Sequence, residues 1–262
     1  MNMHLFGKTA VVTGASKGIG LAITQALIGE GVNVVAGSRN VTAEISELAA
    51  HAAVRAVQVD LTTPGGPEVL VEEAISAFGG LDILVNNVGA VRPRTGGFLS
   101  VTDEDWIETF AVNFLAAVRT TRAALPHLLD RGAGTIITIS SVNASLPDPL
   151  VIDYSAAKGA LANFSKSLSK EVGRHGIRVN TISPGPVSTE LWLGDDGVAA
   201  TLGRANGRPP EEIASRAADD SVTGRFTRPQ EVAALVVFLA SDRAENVTGA
   251  DITVDGGLVT TL

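Results

Sequence analysis

The chain has 262 residues, 45% hydrophobic and 18% charged, with a mean hydropathy of +0.26. That is enough apolar material for the buried core of one large α/β domain, and it excludes a disordered chain. A net charge of −8 and an isoelectric point near 5.0 argue against a nucleic-acid partner, which needs clustered Lys and Arg, and the absence of cysteine excludes disulfides, Cys-zinc sites and a thiol nucleophile.

At the start, MNMHLFGKTAVVTGAS has no leader pattern, because the apolar run after Lys8 breaks at Thr13-Gly14. No apolar stretch approaches the roughly 18 residues of a membrane span. A soluble, cytoplasmic protein without membrane contact is expected. TAVVTG (9–14) is a short β-branched run of the kind buried on both faces of a sheet, and GIGLAITQALIGEG (18–31) has helical spacing. VNVVAGS (32–38) is strand-like, TAEISELAAHA (42–52) helix-like, VRAVQVD (54–60) strand-like and PEVLVEEAISAFG (67–79) helical. LDILVNN (81–87) predicts a fourth strand, and a helix follows over about 106–130. GTIITISS (134–141) and IRVNTISP (177–184) predict two more strands, separated by a helix from Tyr154 to about Arg174. The helix PQEVAALVVFLAS (229–241) precedes a last short strand in ADITVDGG (250–257). Strand-helix alternation of this kind implies an α/β fold: a doubly wound, Rossmann-like parallel sheet of about seven strands with helices on both faces, here over a single domain, 1–262. Two segments interrupt the alternation, the polar loop 91–106 and a stretch without strand character at 190–224. Both leave strands at the carboxyl edge, where open parallel sheets bind ligands, so 190–224 reads as a substrate lid.

TGASKGIG (13–20) joins the first strand to the first helix, with glycines at 14, 18 and 20. Glycine permits positive φ and close approach of a ligand, and the free N–H groups at a helix start attract an anion such as a pyrophosphate. A tight turn without a ligand is the alternative. The spacing is GxxxGxG rather than GxGxxG. DYSAAKGA (153–160) holds the only tyrosine, and Tyr154 and Lys158, four apart, share one helical face.

TGxxxGxG, NNVG (86–89), Tyr-x-x-x-Lys, SPGPVST (183–189) and VTGADITVDGG near the end occur in order at ordinary spacing. Together they resemble the compact, single-domain short-chain dehydrogenase/reductase family over nearly the whole chain. Val88 departs from the more usual Ala and narrows that wall slightly. The resemblance implies an oxidoreductase that interconverts a ketone, or a 3-oxoacyl group, with a secondary alcohol by hydride transfer. The competing class is a non-catalytic NADP-binding sensor or scaffold on the same fold.

An NAD-preferring site usually ends its second strand with a carboxylate that bonds the ribose 2′-OH. Here Ser38 and Arg39 stand at that place, and Lys17 lies inside the glycine turn. Arg39 and Lys17 can pair with a 2′-phosphate, so NADP(H) is expected over NAD(H); two solvated surface cations are the alternative. The resemblance places the cofactor against Gly14, Ser16, Lys17, Gly18, Ile19 and Gly20, then Ser38 and Arg39, Asp60 and Leu61, Asn87 and Gly89, Tyr154 and Lys158, and Pro184, Gly185, Val187 and Thr189. Asp60 matches the position that bonds the adenine amino group, or it caps the helix that follows.

Ser141 lies thirteen residues before Tyr154, which matches the family's Ser-to-Tyr spacing, whereas Ser140 gives fourteen. Neighbouring strand residues face opposite ways, so only one serine should reach the site, and Ser141 is expected there. Asn113 matches the family's fourth catalytic position. Ketone reduction creates an alkoxide-like oxygen that needs a proton donor and a second hydrogen bond. Tyr154 is the expected donor, its pKa drawn toward neutrality by Lys158 and the oxidised nicotinamide. Ser141 polarises the carbonyl, and Asn113 holds a water that links Lys158 to solvent. With four histidines and no ligand-spaced cluster, no metal is expected.

The substrate is expected among the loop 142–152, including Val142 and Asn143, an apolar lid of Leu191, Trp192 and Leu193, and the neighbouring Arg92 and Arg94. These arginines either bind an acidic substrate or are solvated. Apolar character on more than one side of helices 112–129 and 154–172, together with the resemblance, implies a homotetramer.

Overall fold

The computed structural model describes residues 2–51 and 53–261. Ala52, at the end of the second expected helix, and Met1 and Leu262, the ends of the expected domain, lie outside them. The β-branched runs form seven strands: β1 (Thr9–Thr13), β2 (Asn33–Ser38), β3 (Val54–Gln58), β4 (Ile83–Asn86), β5 (Gly134–Ile139), β6 (Ile177–Pro184) and β7 (Asp251–Val254). All neighbours are parallel, in the order β3-β2-β1-β4-β5-β6-β7. Val12 of β1 pairs with Ala36 on one side and Val85 on the other. The order reverses between β1 and β4, which opens a crevice at their carboxyl ends.

Among the described residues ten α-helices connect the strands: α1 (Gly18–Gly29), α2 (Ala43–His51), α3 (Gly66–Phe78), α4 (Asp103–Phe110), α5 (Ala116–Arg131), α6 (Ile152–Val172), α7 (Glu190–Leu193), α8 (Val198–Asn206), α9 (Pro210–Asp219) and α10 (Pro229–Ala240). Alternation along the central strands feeds two cores. Ala10, Val12, Val34 and Val85 pack on Ile23 and Leu27 of α1 and Val232 and Val236 of α10. Val11, Val35, Leu84 and Ile136 pack on Leu70 of α3, Leu128 of α5 and Leu168 of α6. Burial on both faces explains why these strands read as continuous apolar runs rather than alternating ones.

Two local results differ from the sequence expectation. The helix expected over 106–130 starts earlier, at Asp103, where Thr102 and Asp105 form a capping box. It is then interrupted by a π-helical turn, Ala111–Leu115. Within that turn the Asn113 side chain donates to the Thr109 carbonyl four residues back, competing for the acceptor of the regular ladder. The stretch 190–224, read as a substrate lid without strand character, contains the three short helices α7, α8 and α9. Among the described residues no helix is long and apolar enough to cross a membrane.

Candidate active site

Gly14 sits at φ +64°, and a Cβ there would meet the Asn87 side-chain amide at 3.0 Å. A Cβ on Gly20 would run into the Gly14 carbonyl and come within 2.6 Å of the same amide. The turn is therefore pinned from β4: Asn87 Nδ2 donates to the carbonyls of Thr13 at 2.9 Å and Gly14 at 3.2 Å. Thr13 Oγ1 in turn accepts from the Asn87 backbone N–H at 2.8 Å.

The turn forms one wall of a cleft of about 310 Å³. Of the residues expected at a cofactor, Gly14, Ser16, Lys17, Gly18, Ile19, Gly20, Ser38, Arg39, Asp60, Leu61, Asn87, Gly89, Tyr154, Lys158 and Thr189 line it. Pro184, Gly185 and Val187 do not; they line a second, mostly apolar cavity of about 430 Å³, together with Ser141, Val142, Asn143 and Trp192. The two cavities meet at Ile19, Ser140, Tyr154, Thr189 and Leu191. Tyr154 thus stands at the junction of a glycine-walled cleft and an apolar chamber.

The first turn of α6 sets the reacting side chains. Lys158 is 3% exposed, and its ammonium donates to the Ile139 carbonyl at 3.0 Å and lies 5.6 Å from the Tyr154 ring centre. Burial pulls its pKa from the ordinary 10.5 down to about 8. Burial also holds the Tyr154 phenol above its ordinary value, and the neighbouring Ser141 hydroxyl works in the opposite direction. In the protein alone, desolvation therefore outweighs the lowering by Ser141; the lowering expected of Lys158 is one it exerts together with the oxidised nicotinamide. Of the two serines, Ser140 donates weakly to the Lys158 carbonyl at 3.5 Å, while Ser141 exchanges hydrogen bonds with Asn143 at 3.1 and 3.2 Å.

Asn113 is 1% exposed and lines neither cavity. Its Nδ2 donates to the carbonyls of Ala90 at 2.8 Å and Thr109 at 3.0 Å, and its Oδ1 accepts from Ala90 N–H at 3.1 Å. A Cβ on Gly89 would lie 3.1 Å from that oxygen and 3.6 Å from the Lys158 ammonium. Asn113 and Lys158 are thus brought together across Gly89.

At the far end of the cleft, Ser38 donates to the Asn40 carbonyl at 2.8 Å, and Asp60 Oδ1 accepts from Thr62 N–H at 2.9 Å and Thr62 Oγ1 at 2.7 Å. Asp60 is thereby held as the cap of its own turn, and those hydrogen bonds keep its carboxyl below the usual range. Lys17 is paired with Glu190 at 2.9 Å, both about two-thirds exposed, so the pair is weak and open to competition. Neither reading of Arg94 holds. It is half-buried between α4 and α6, bonded to Asp105 at 2.8 Å and to Asp153, and lines neither cavity. Arg92 is exposed and paired with Glu108 at 3.0 Å. Leu193 lies away from the chamber, which is closed instead by Val198, Leu202, Ala217, Asp220 and Leu258. No motif marked these residues. Among the described residues no cluster of His, Asp or Glu is placed to hold a metal ion.

A family profile described as enoyl-(acyl carrier protein) reductase matches residues 14–259. The chain is 35% identical over 261 residues to 3-oxoacyl-(acyl-carrier-protein) reductase of Salmonella typhimurium, covering 98% of this chain and 99% of that protein.

The chain belongs to the short-chain dehydrogenase/reductase family.

Another oxidoreductase relative is 3beta-hydroxysteroid dehydrogenase 1 of Eggerthella lenta, 36% identical over 264 residues, covering 97% of this chain and 94% of that protein. A crystal structure of L-sorbose reductase from Gluconobacter frateurii with NADPH and L-sorbose superposes with a TM-score of 0.91 at 38% identity, covering the whole of both chains. This short-chain dehydrogenase/reductase is therefore an oxidoreductase of small molecules. The glycine-walled cleft fits a dinucleotide: its turn has no room for a Cβ at Gly14 or Gly20, and a buried ammonium with a single carbonyl partner faces it.

Proposed function

We propose that this protein is an NADP(H)-dependent reductase that interconverts ketones, 3-oxoacyl groups among them, with secondary alcohols. The observation that carries the reading is Tyr154 at the junction of the two cavities, with Lys158 one helical turn behind it and Ser141 beside it.

The glycine turn would hold the cofactor's pyrophosphate, Asp60 and Leu61 its adenine end, Asn87 and Gly89 its ribose, and Pro184, Gly185, Val187 and Thr189 its nicotinamide end. When bound, the nicotinamide supplies or accepts the hydride. Tyr154 Oη donates its proton to the carbonyl oxygen as negative charge builds there, and Ser141 Oγ donates a second hydrogen bond to the same oxygen. Lys158 favours the phenolate that remains and steadies the ribose. Asn113 has both amide protons committed and one Oδ1 lone pair left to hold a water between Lys158 and solvent. Val142, Asn143 and Trp192 border the substrate, and residues 190–224 act as its lid within one catalytic domain.

The NADP preference rests on Arg39 in the cleft wall and on Ser38 where a carboxylate would repel the 2′-phosphate; the NADPH complex of the sorbose reductase supports it. Exposed Ile107 and Leu129 on the α4–α5 face support a homotetramer, and a cysteine-free chain suits a cytoplasmic setting. The test is oxidation of NADPH and of NADH against a panel of ketones, diketones and oxoacyl esters, with Tyr154→Phe as control. Turnover with NADPH that Tyr154→Phe abolishes is expected. NADPH binding without turnover on any substrate would favour the sensor, and a KM at least tenfold lower for NADH would overturn the NADP assignment.

A further inference from the structure

The apolar chamber has a charge pattern that bears on what can enter it. Among its described lining residues the ionic side chains are two carboxylates, Asp148 and Asp220, and none is Lys, Arg or His. Asp148 comes from the short 3-10 segment before α6, where Oδ1 accepts from Leu150 N–H at 2.8 Å. Asp220 caps the C-terminal end of α9 in the lid. Neither has a cationic partner among the described residues.

Cations that adjoin the chamber are committed elsewhere; Arg216, next to the lining residue Ala217, pairs with Glu212 at 2.8 Å. Arg94 follows the lining residue Pro93 but turns inward to Asp105 and Asp153, and Arg92 precedes it and turns outward to Glu108. Lys17 is paired with Glu190. Lys158 lines the other cavity and bonds Ile139. The rest of the wall is apolar, with Leu146, Leu150, Leu191, Trp192, Leu202 and Leu258 prominent. An anionic substrate entering this chamber would lose water, gain no counter-charge and face two carboxylates, both on exposed residues and so partly screened. A neutral one would bury its carbon skeleton against the leucines and could offer hydroxyl groups to Asp148, Asp220 and Asn143.

We infer that this site selects uncharged carbonyl and alcohol substrates, and that Asp148 and Asp220 are specificity residues that exclude carboxylates and phosphate esters. The inference rests on the reductase reading above. It separates this chain from enzymes that place cations in this chamber to receive an acidic substrate.

The test compares ethyl acetoacetate with acetoacetate, the same ketone without and with a negative charge, using NADPH and the full-length protein, wild type, Asp148→Asn, Asp220→Asn and the double variant. The wild type is expected to prefer the ester by at least 100-fold in kcat/KM, and the double variant to narrow that ratio by about tenfold or more. Because the ester and the acid differ in intrinsic reactivity, the change in the ratio carries the decision. A wild type that reduces both within threefold, or a ratio that the double variant leaves unmoved, overturns the inference but leaves the reductase reading intact. A binding arm does not depend on turnover. Quenching of Trp192 fluorescence in a Trp106→Phe background should show methyl hexanoate binding at least tenfold more tightly than hexanoate, with the gap shrinking in the double Asn variant. Equal affinities, or a gap the double variant leaves unmoved, again overturn it. Absence of turnover with every carbonyl tried, alongside the expected binding preference, would instead sink the reductase reading.

Discussion

Replacing Lys158 by methionine should stabilise the cofactor-free protein at neutral pH while ending its turnover. The ammonium is 3% exposed, has one hydrogen bond, to the Ile139 carbonyl, and has no acidic partner among the described residues. A fall in pKa from 10.5 to about 8 on burial corresponds to about 3 kcal/mol against the charged form. Methionine keeps the unbranched apolar stem and removes the charge, but it leaves the Ile139 carbonyl without this donor, at a cost of about 1 kcal/mol. The net gain at pH 7 is about 2 kcal/mol, which would move a urea midpoint upward by roughly 1 M. The pH dependence follows from the direction of the shift. The unfolded chain holds the Lys158 proton more tightly than the folded one, so below about pH 8 both states are charged and the penalty is complete. Between about pH 8 and 10.5 the folded protein sheds the proton first, and wild-type stability rises relative to the variant. Urea unfolding of both proteins at pH 7 and near pH 10.5 checks this. A Lys158→Met protein no more stable than wild type at pH 7, or a stability difference that does not change across that window, would refute the reasoning.

Three further outcomes are expected. Arg39→Ala should raise the KM for NADPH by about 10- to 100-fold, the worth of a charge-assisted hydrogen bond, and leave that for NADH within threefold; steady-state kinetics with both cofactors check it. Gly20→Ala places a methyl against the Gly14 carbonyl and the Asn87 amide, so it should abolish NADPH binding by fluorescence titration and lower the melting temperature. Arg94→Met strands the Asp153 carboxylate, whose side chain is 2% exposed, and should cost about 3–5 kcal/mol in chemical denaturation. Burial pushes Asp153 up, but Arg94 and Thr109 outweigh it and hold the group below its ordinary value. The stability it contributes is thus present above the usual carboxylate range and lost as pH falls through the lower folded value. In Arg94→Met the acid-unfolding midpoint should move toward neutrality.

What the amino-acid sequence determined by itself was everything carried by short-range pattern. Runs such as TAVVT and GTIITI are strands because both faces are covered, and the glycines at 14, 18 and 20 mark a turn with positive φ at Gly14 and Gly18 and backbone crowding at Gly20. The four-residue spacing of Tyr154 and Lys158 puts them on one face of α6. The seven-strand parallel sheet follows, because alternation of elements with short connections leaves few other arrangements. Only the tertiary structure decided what depends on partners far apart in the chain. Arg94 could be read as a substrate ligand until the fold brought it to Asp105, 11 residues away, and Asp153, 59 residues away. Asn113, whose side chain competes for the Thr109 carbonyl in the interrupted helix, is held in place by bonds to Ala90, 23 residues away. The segment 190–224 was legible only as a lid without strand character, because its helices are short and pack mainly on one another rather than alternating with strands. Asp220 and Asp148, far apart in the chain, line one chamber only because the folded segment lies against it. The sign of the proton energetics belongs with these. Residue types suggested that Lys158 and the oxidised nicotinamide together would lower the tyrosine; in the protein alone, burial, a property of the folded chain, raises the phenol and lowers the ammonium.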